Sequence, residues 1–178
     1  MGRFLGTPEG VRAVLDETEQ ILLTQLASEL LELMGDDAEV PGDPLAELVD
    51  IGTATKAPDD PALARLFPDA YLDDSDAAAE FRRYTERSLR RTKRANATTA
   101  LATLDGTRER TLTDEEARAW LGALNDMRLA IGSRLGLSDD DDEDLDELAD
   151  DDPRTYAYAV YDHLTWLQET LVHALAGE

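Results

Sequence analysis

Three runs of apolar residues recur at helical spacing, and they constrain the fold more than any other feature of the chain. In the first run, Leu22, Leu26, Leu30 and Leu33 follow one another at intervals of four, four and three residues. Residues at this spacing share one face of an α-helix. The other two runs are Trp120, Leu124, Met127, Ile131 and Leu135, then Tyr156, Val160, Leu164, Leu167, Leu171 and Leu175. The pattern predicts three long helices, each with one buried face.

Capping residues mark the ends of these helices. Asp16 and Thr113 precede two of them, and each is followed three residues later by a glutamate, as in a capping box. Gly35 and Gly136 stand where those two helices should end, and Pro153 opens the third.

A fourth long helix is predicted to start after Asp74 or Ser75 and to reach about Leu104. The shorter predicted elements are helices over 44–52 and over 60–71, the latter broken by Pro68, and strands over 11–15 and 108–112. The expected fold is all-α: a single domain over residues 1–178, a bundle of about four long and two short helices. One or two very short strands are expected near the N-terminus and before the Thr113 helix.

The fourth helix carries an unusual concentration of positive charge. Residues 82–94 hold seven of the chain's 17 Lys and Arg residues, although the formal net charge is −23. At 100° per residue, Arg83, Arg87, Arg90 and Arg94 fall on one stripe, and Arg91 borders it. Like charges so close repel one another unless an anionic group faces them. These five arginines are the predicted partner-binding or anion-binding site.

Three kinds of group could face this stripe. Carboxylates of neighbouring helices would give the arginines a purely structural role, whereas an acidic partner protein or nucleic acid would give them a functional one. DNA-binding domains are usually basic overall, and this chain has only the local basic cluster. Direct contact with DNA is therefore less strongly indicated than contact with protein.

Residues 138–152 form an acidic segment in which eleven of fifteen residues are Asp or Glu. Such runs are usually solvated, and a flexible acidic loop is expected here. The segment could also lie on the arginine stripe as an autoinhibitory element. It lacks the glycine that an EF-hand loop needs at its sixth position, so no dedicated metal site is predicted.

Little in the chain points to catalysis. It has no cysteine, and phosphate-binding, zinc-protease and hydrolase motifs are missing from the sequence. His163 and His173 are ten residues apart, on different faces of the last helix, and cannot hold one ion together. No catalytic residue, metal or cofactor is predicted, and the only enzymatic alternative is a metal-dependent activity.

Two further groups of residues have open interpretations. Asn125, Asp126 and Arg128 form a polar cluster within an apolar helix, and they are expected to bridge helices through hydrogen bonds. Tyr158 and Trp166 lie off the main apolar stripe of the last helix, where they could form the contact of a homodimer. No stretch is long and apolar enough to span a membrane, and the start has no secretory signal, so a cytoplasmic protein is expected.

Four stretches together resemble a known family. They are GVRAVLDETEQILLTQLASELLELM at 10–34, LARLFPDAYLDDSDAAAEFRRYTE at 63–86, AWLGALNDMRLAIGSRLG at 119–136 and YDHLTWLQETLVHAL at 161–175. The resemblance is to an actinobacterial family long known only as a domain of unknown function and now associated with the oxidative-stress transcriptional regulator AosR. It implies redox-responsive control of transcription through a sigma factor, RNA polymerase, promoter DNA or a combination of these.

The resemblance is incomplete at one point that matters for mechanism. Redox sensing in the family is attributed to a cysteine pair, and this sequence has none. Thiol sensing is therefore not expected. The sequence favours a non-enzymatic regulator, with a protein–protein adaptor or scaffold that does not bind DNA as the alternative.

Overall fold

A computed structural model describes residues 1–35, 55–71, 73–137, 152 and 154–177. The helices are α1 (Glu17–Met34), α2 (Pro61–Leu66), α3 (Ser75–Thr103), α4 (Asp114–Leu135) and α5 (Thr155–Ala176). The strands are β1 (Arg3–Thr7), β2 (Gly10–Val14) and β3 (Glu109–Leu112). The mostly helical architecture predicted from the sequence is confirmed. The short helix expected over 44–52 lies outside the described residues, and so does the acidic loop apart from Asp152.

The predicted helix ends agree closely with the structure because their capping chemistry is local. The Asp16 carboxylate accepts a hydrogen bond from the Glu19 backbone N–H, and the Glu19 carboxylate accepts one from the Asp16 N–H. Thr113 and Glu116 form the same reciprocal pair before α4. Asp74 caps α3, which continues for 29 residues.

The strands form one antiparallel sheet in the order β1-β2-β3. Phe4 lies opposite Ala13, and Val11 lies opposite Leu112. β2 and β3 correspond to the strands expected from the sequence, but β1 was not predicted. Its segment, RFLGT, contains a glycine and gives little strand signal of its own, and its conformation depends on pairing with β2.

Side chains of α5 hold β1 in place. The Thr170 hydroxyl accepts a hydrogen bond from the Phe4 backbone N–H at 3.1 Å, and the Trp166 indole donates to the Gly2 carbonyl at 2.9 Å. The Phe4 ring reaches the core, where its centroid is 5.6 Å from that of Trp120. β1 thus packs along α5, and its Phe4 side chain is part of the core.

The buried face of α1 differs by one residue position from the predicted one. Leu23, Ala27, Leu30 and Met34 are its buried apolar residues, whereas Leu22, Leu26 and Leu33 are only partly buried. Leucines of α1 point to several sides of the helix. Their spacing alone therefore favoured a face centred one position away from the buried one, and the small Ala27 was overlooked. The prediction for α5 was wrong at Tyr156, which is exposed, while Tyr158 is buried.

Substitutions on α1 test this corrected face. Leu23→Ala should lower the free energy of unfolding by about 2–5 kcal/mol because it opens a cavity at a fully buried site. Ile21→Ala, at a position that is 61% exposed, should change it by less than about 0.5 kcal/mol. Urea denaturation of both variants measures the difference, and equal losses would contradict the assignment of the buried face.

Candidate functional site

The basic helix α3 contains a buried arginine that the stripe analysis did not single out. Arg82 is 5% exposed. Its guanidinium donates to the Phe67 carbonyl oxygen at 2.9 Å, to Asp69 Oδ1 at 2.7 Å and to Glu86 Oε2 at 2.5 Å. Burial disfavours its charged form, but the hydrogen bonds and charges of the two carboxylates outweigh burial and raise the pKa of Arg82. Arg82 thus fastens α3 to the chain that follows α2.

Glu86 extends this contact along α3. Its second carboxylate oxygen, Oε1, accepts a hydrogen bond from Arg90 at 2.8 Å. The Arg90 guanidinium lies 4.3 Å from the centroid of the Phe67 ring, in cation–π geometry, and donates to the Met34 carbonyl oxygen. We call Asp69, Arg82, Glu86 and Arg90 the charge network; Arg82 is buried, Glu86 and Arg90 are partly buried, and Asp69 is exposed. It connects α3 to the end of α1 and to the loop after α2.

Arg94 makes a second contact with the end of α1. It donates to the Leu31 carbonyl oxygen at 3.0 Å and to the Gly35 carbonyl oxygen. The last carbonyl groups of a helix lack partners within the helix and carry partial negative charge. α1 has no basic residue in its own last turn. Arg90 and Arg94 of α3 supply the positive charge there.

The predicted arginine stripe therefore spans two environments. Arg90 and Arg94 lie against the carbonyl groups at the end of α1. Arg83 and Arg91 are exposed, and Arg87 is partly exposed. We call these three residues the outer arginines.

Exposed apolar side chains also lie on α3 and on the chain just before it. The exposed fractions are 50% for Tyr71, 46% for Phe81, 54% for Tyr84 and 39% for Leu89. The rings of Tyr71 and Phe81 meet edge to face with centroids 6.0 Å apart. We call these four residues the apolar patch.

The predicted polar cluster on α4 connects this helix to both of its neighbours. Asp126 is 2% exposed and forms an ion pair with Lys93 of α3 at 2.5 Å. Arg128 turns towards α5, where it donates to Thr165 Oγ1 and to Gln168 Oε1, each at 2.9 Å. Asn125 hydrogen-bonds to the Asp126 carboxylate. The three residues thus lie together on α4 but act at two different interfaces.

The two histidines of α5 lie apart from this region. His163 Nε2 is 3.5 Å from Glu19 Oε1, and Glu19 also accepts the backbone N–H groups of Gly2 and Asp16. His173 is exposed. Among the described residues, no group of three or more His, Cys, Asp or Glu side chains is arranged to hold a metal ion.

Sequence reasoning missed the buried Arg82, the partly buried Glu86 and the buried Glu19. For the first two a signal was available, because Arg82, Glu86 and Arg90 are spaced four residues apart and can pair along one helix. Burial could not be predicted, since it depends on the Phe67–Asp69 loop and the end of α1. Tyr158, considered for a dimer contact, is buried, whereas Trp166 is 40% exposed.

The fold is thus that of a helical domain with a small sheet, in which one long helix carries basic residues both against the end of α1 and at the surface. None of the described helices is long and apolar enough to cross a membrane. The model of the family described as domain of unknown function DUF2017 matches residues 1–175, and the chain belongs to that family.

Curated relatives carry a functional name. The oxidative stress regulator AosR of Mycobacterium bovis is 36% identical over 182 residues, which is 93% of this chain and 82% of the relative. The oxidative stress regulator AosR of Mycobacterium tuberculosis strain H37Rv is similar to the same extent. No solved structure matches the chain.

The Asp126–Lys93 pair predicts a pH dependence of stability. Burial raises the pKa of Asp126, and Lys93 and Asn125 offset this only in part. Because its pKa is higher in the folded state, the folded protein binds this proton more tightly than the unfolded chain does. The free energy of unfolding of the wild type should therefore fall relative to that of Asp126→Asn as the pH rises from below about 4 through the raised pKa of Asp126. At pH values above this pKa the difference between the two proteins should be constant.

Urea unfolding of both proteins across this range measures the effect. Asp105→Asn is the control of opposite sign, because the backbone N–H of Thr107 lowers the pKa of Asp105. Wild type should gain stability relative to that variant as the pH rises through the acid range. A difference between wild type and Asp126→Asn that is flat, or that has the same sign as the control, would contradict the account.

Proposed function

We propose that this chain is a non-enzymatic regulator of transcription in the oxidative-stress response, acting by direct contact with the transcription machinery. One observation carries the proposal: the similarity to proteins named oxidative stress regulator AosR, which extends over 93% of the chain. Similarity over nearly the whole length supports a shared role more strongly than a match to one segment would.

The contact is proposed to use the arginines of α3, with a sigma factor or an RNA polymerase subunit as the partner. The outer arginines Arg83, Arg87 and Arg91 are the members of the predicted stripe best placed for this. Arg90 and Arg94 instead donate to carbonyl groups at the end of α1 and so hold α3 against that helix. Promoter DNA is the less favoured partner, since the net charge of −23 opposes the approach of a polyanion.

The stress signal must reach this regulator by a route other than its own thiols. These 178 residues contain no cysteine. We therefore propose that the signal arrives through the partner. A thiol oxidant applied to the purified chain alone should leave its partner affinity unchanged.

The second candidate is an adaptor or scaffold that binds proteins without affecting transcription. The exposed apolar patch favours protein contact in general and is compatible with this role as well. The two candidates differ in their effect on transcript levels.

Transcript profiling tests the proposal. A strain lacking the gene, and the same strain complemented with wild type, should differ in a defined set of transcripts after hydrogen peroxide. Purified RNA polymerase holoenzyme should also co-sediment with the wild-type chain. Identical transcript profiles together with no association with polymerase would refute the regulatory role and leave the adaptor.

A further inference from the structure

A groove between β1 and α5 holds a cavity of about 420 Å³. One wall is a single face of α5, whose members are spaced three and four residues apart: Trp166, Glu169, Thr170 and His173. The other wall is β1, where Arg3 and Leu5 point to the solvent side of the sheet, opposite to the buried Phe4. Sites for small molecules usually have about 300–1,000 Å³, so this volume suits one small ligand.

Contacts within the chain fix the shape of this groove. The Trp166 indole donates to the Gly2 carbonyl at 2.9 Å, which orients its exposed ring. A second hydrogen bond joins Thr170 to the backbone of β1. At Gly6 the strand comes so close to the last turn of α5 that an added Cβ would lie 2.9 Å from the Ala174 carbonyl oxygen. Both walls are therefore positioned before any ligand binds.

Two opposite charges line this cavity without neutralising each other. Arg3 and Glu169 are both exposed, and among the described residues neither takes part in an ion pair. Other arginines near the surface do find a carboxylate, as Arg110 finds Asp105 at 2.8 Å. The groove thus offers a separate positive and a separate negative group beside an aromatic ring.

We propose that this cavity binds a small zwitterion, an α-amino acid with an aromatic side chain. Its carboxylate pairs with Arg3, and its ammonium group pairs with Glu169. Its ring stacks on Trp166 and contacts Leu5. His173 already has an interaction within the chain and is given no part in binding. The site lies on β1 and α5, so it is separate from the arginines of α3 and does not depend on the proposed function.

The charge balance of the cavity selects a zwitterion over a simple ion. A simple anion would pair with Arg3, but it would also face Glu169 and the field of a chain of net charge −23. A simple cation would pair with Glu169 and leave Arg3 without a partner beside it. A ligand with both charges meets each group with its opposite and carries no net charge.

Fluorine NMR of the full chain labelled with fluorotryptophan tests the site directly. The chain has two tryptophans, and Trp120 is 1% exposed, so its resonance is an internal reference. Titration with L-phenylalanine should shift the Trp166 resonance to saturation and leave that of Trp120 unchanged. Phenylpropionate lacks the ammonium group and phenylethylamine lacks the carboxylate. Each should bind at least about tenfold more weakly than L-phenylalanine.

Single variants assign each charge to its partner. Arg3→Gln should weaken the binding of L-phenylalanine at least about tenfold but should not weaken that of phenylethylamine. Glu169→Gln should weaken L-phenylalanine to a similar extent but should not weaken phenylpropionate. The controls Arg118→Gln and Glu115→Gln remove exposed charges of α4 and should leave the affinity unchanged. All four substitutions lie at the surface, so each variant should unfold at the wild-type urea midpoint.

The proposal is overturned if the Trp166 resonance does not approach saturation by about 20 mM L-phenylalanine, which is well above a weak dissociation constant of about 1 mM. It is also overturned if either analogue binds as tightly as L-phenylalanine, or if the control variants weaken binding as much as Arg3→Gln and Glu169→Gln do. Equal shifts of both tryptophan resonances would mark a non-specific effect and would count against it as well. None of these results involves transcription, so the site can fail while the proposed function stands.

Discussion

A guanidinium group removed from water needs acceptors for its hydrogen bonds, and the packing of α3 rests on those that Nη1 and Nη2 of Arg82 find. Its partners are a carbonyl oxygen and a carboxylate from the loop after α2, and Glu86 on α3 itself. Glu86 also accepts a hydrogen bond from Arg90, and Arg90 in turn donates to the Met34 carbonyl oxygen at the end of α1. Three segments that are distant in sequence thus meet around two carboxylates and two arginines.

This arrangement explains how so polar a helix packs into a bundle. α3 contributes small apolar residues to the core at Ala97 and Ala100, which allow close approach. Near Gly122 of α4 the approach is close enough that an added Cβ would collide with the Asn96 amide. The Thr103 hydroxyl accepts the indole N–H of Trp120 at 2.8 Å. At its other contacts, α3 is joined to its neighbours by charge pairs, whereas leucine contacts join the other helices to one another.

The parts of the fold that depend on local chemistry could be predicted from the sequence. The capping pairs of α1 and α4 and the start of α3 after Asp74 are of this kind. β1 could not be predicted, because it exists through pairing with β2 and docking on α5. The same limit applies to the candidate site: helical spacing placed the arginines on α3, but only the positions of Phe67 and Met34 show which of them are turned inward. The surface of Tyr71, Phe81, Tyr84 and Leu89 was not recognised, since apolar residues carry no signal of exposure.

The division of α3 into an inner and an outer set of basic residues leaves one helix with two tasks. The inner set, which includes Arg82, Arg90, Lys93 and Arg94, neutralises carboxylates and helix-end carbonyl groups of the same chain. The outer set remains at the surface of a strongly acidic protein. Under the proposed function, the outer set is the contact surface for the partner.

Neighbouring residues of identical chemistry offer the most direct test of this division. Arg82→Met should lower the free energy of unfolding by about 1–3 kcal/mol, because it removes the hydrogen bonds of a buried guanidinium to the Phe67 carbonyl oxygen, Asp69 and Glu86. Arg83→Met, one position along the helix and exposed, should change it by less than about 0.5 kcal/mol. Equal effects of the two substitutions, measured by urea denaturation, would contradict the account.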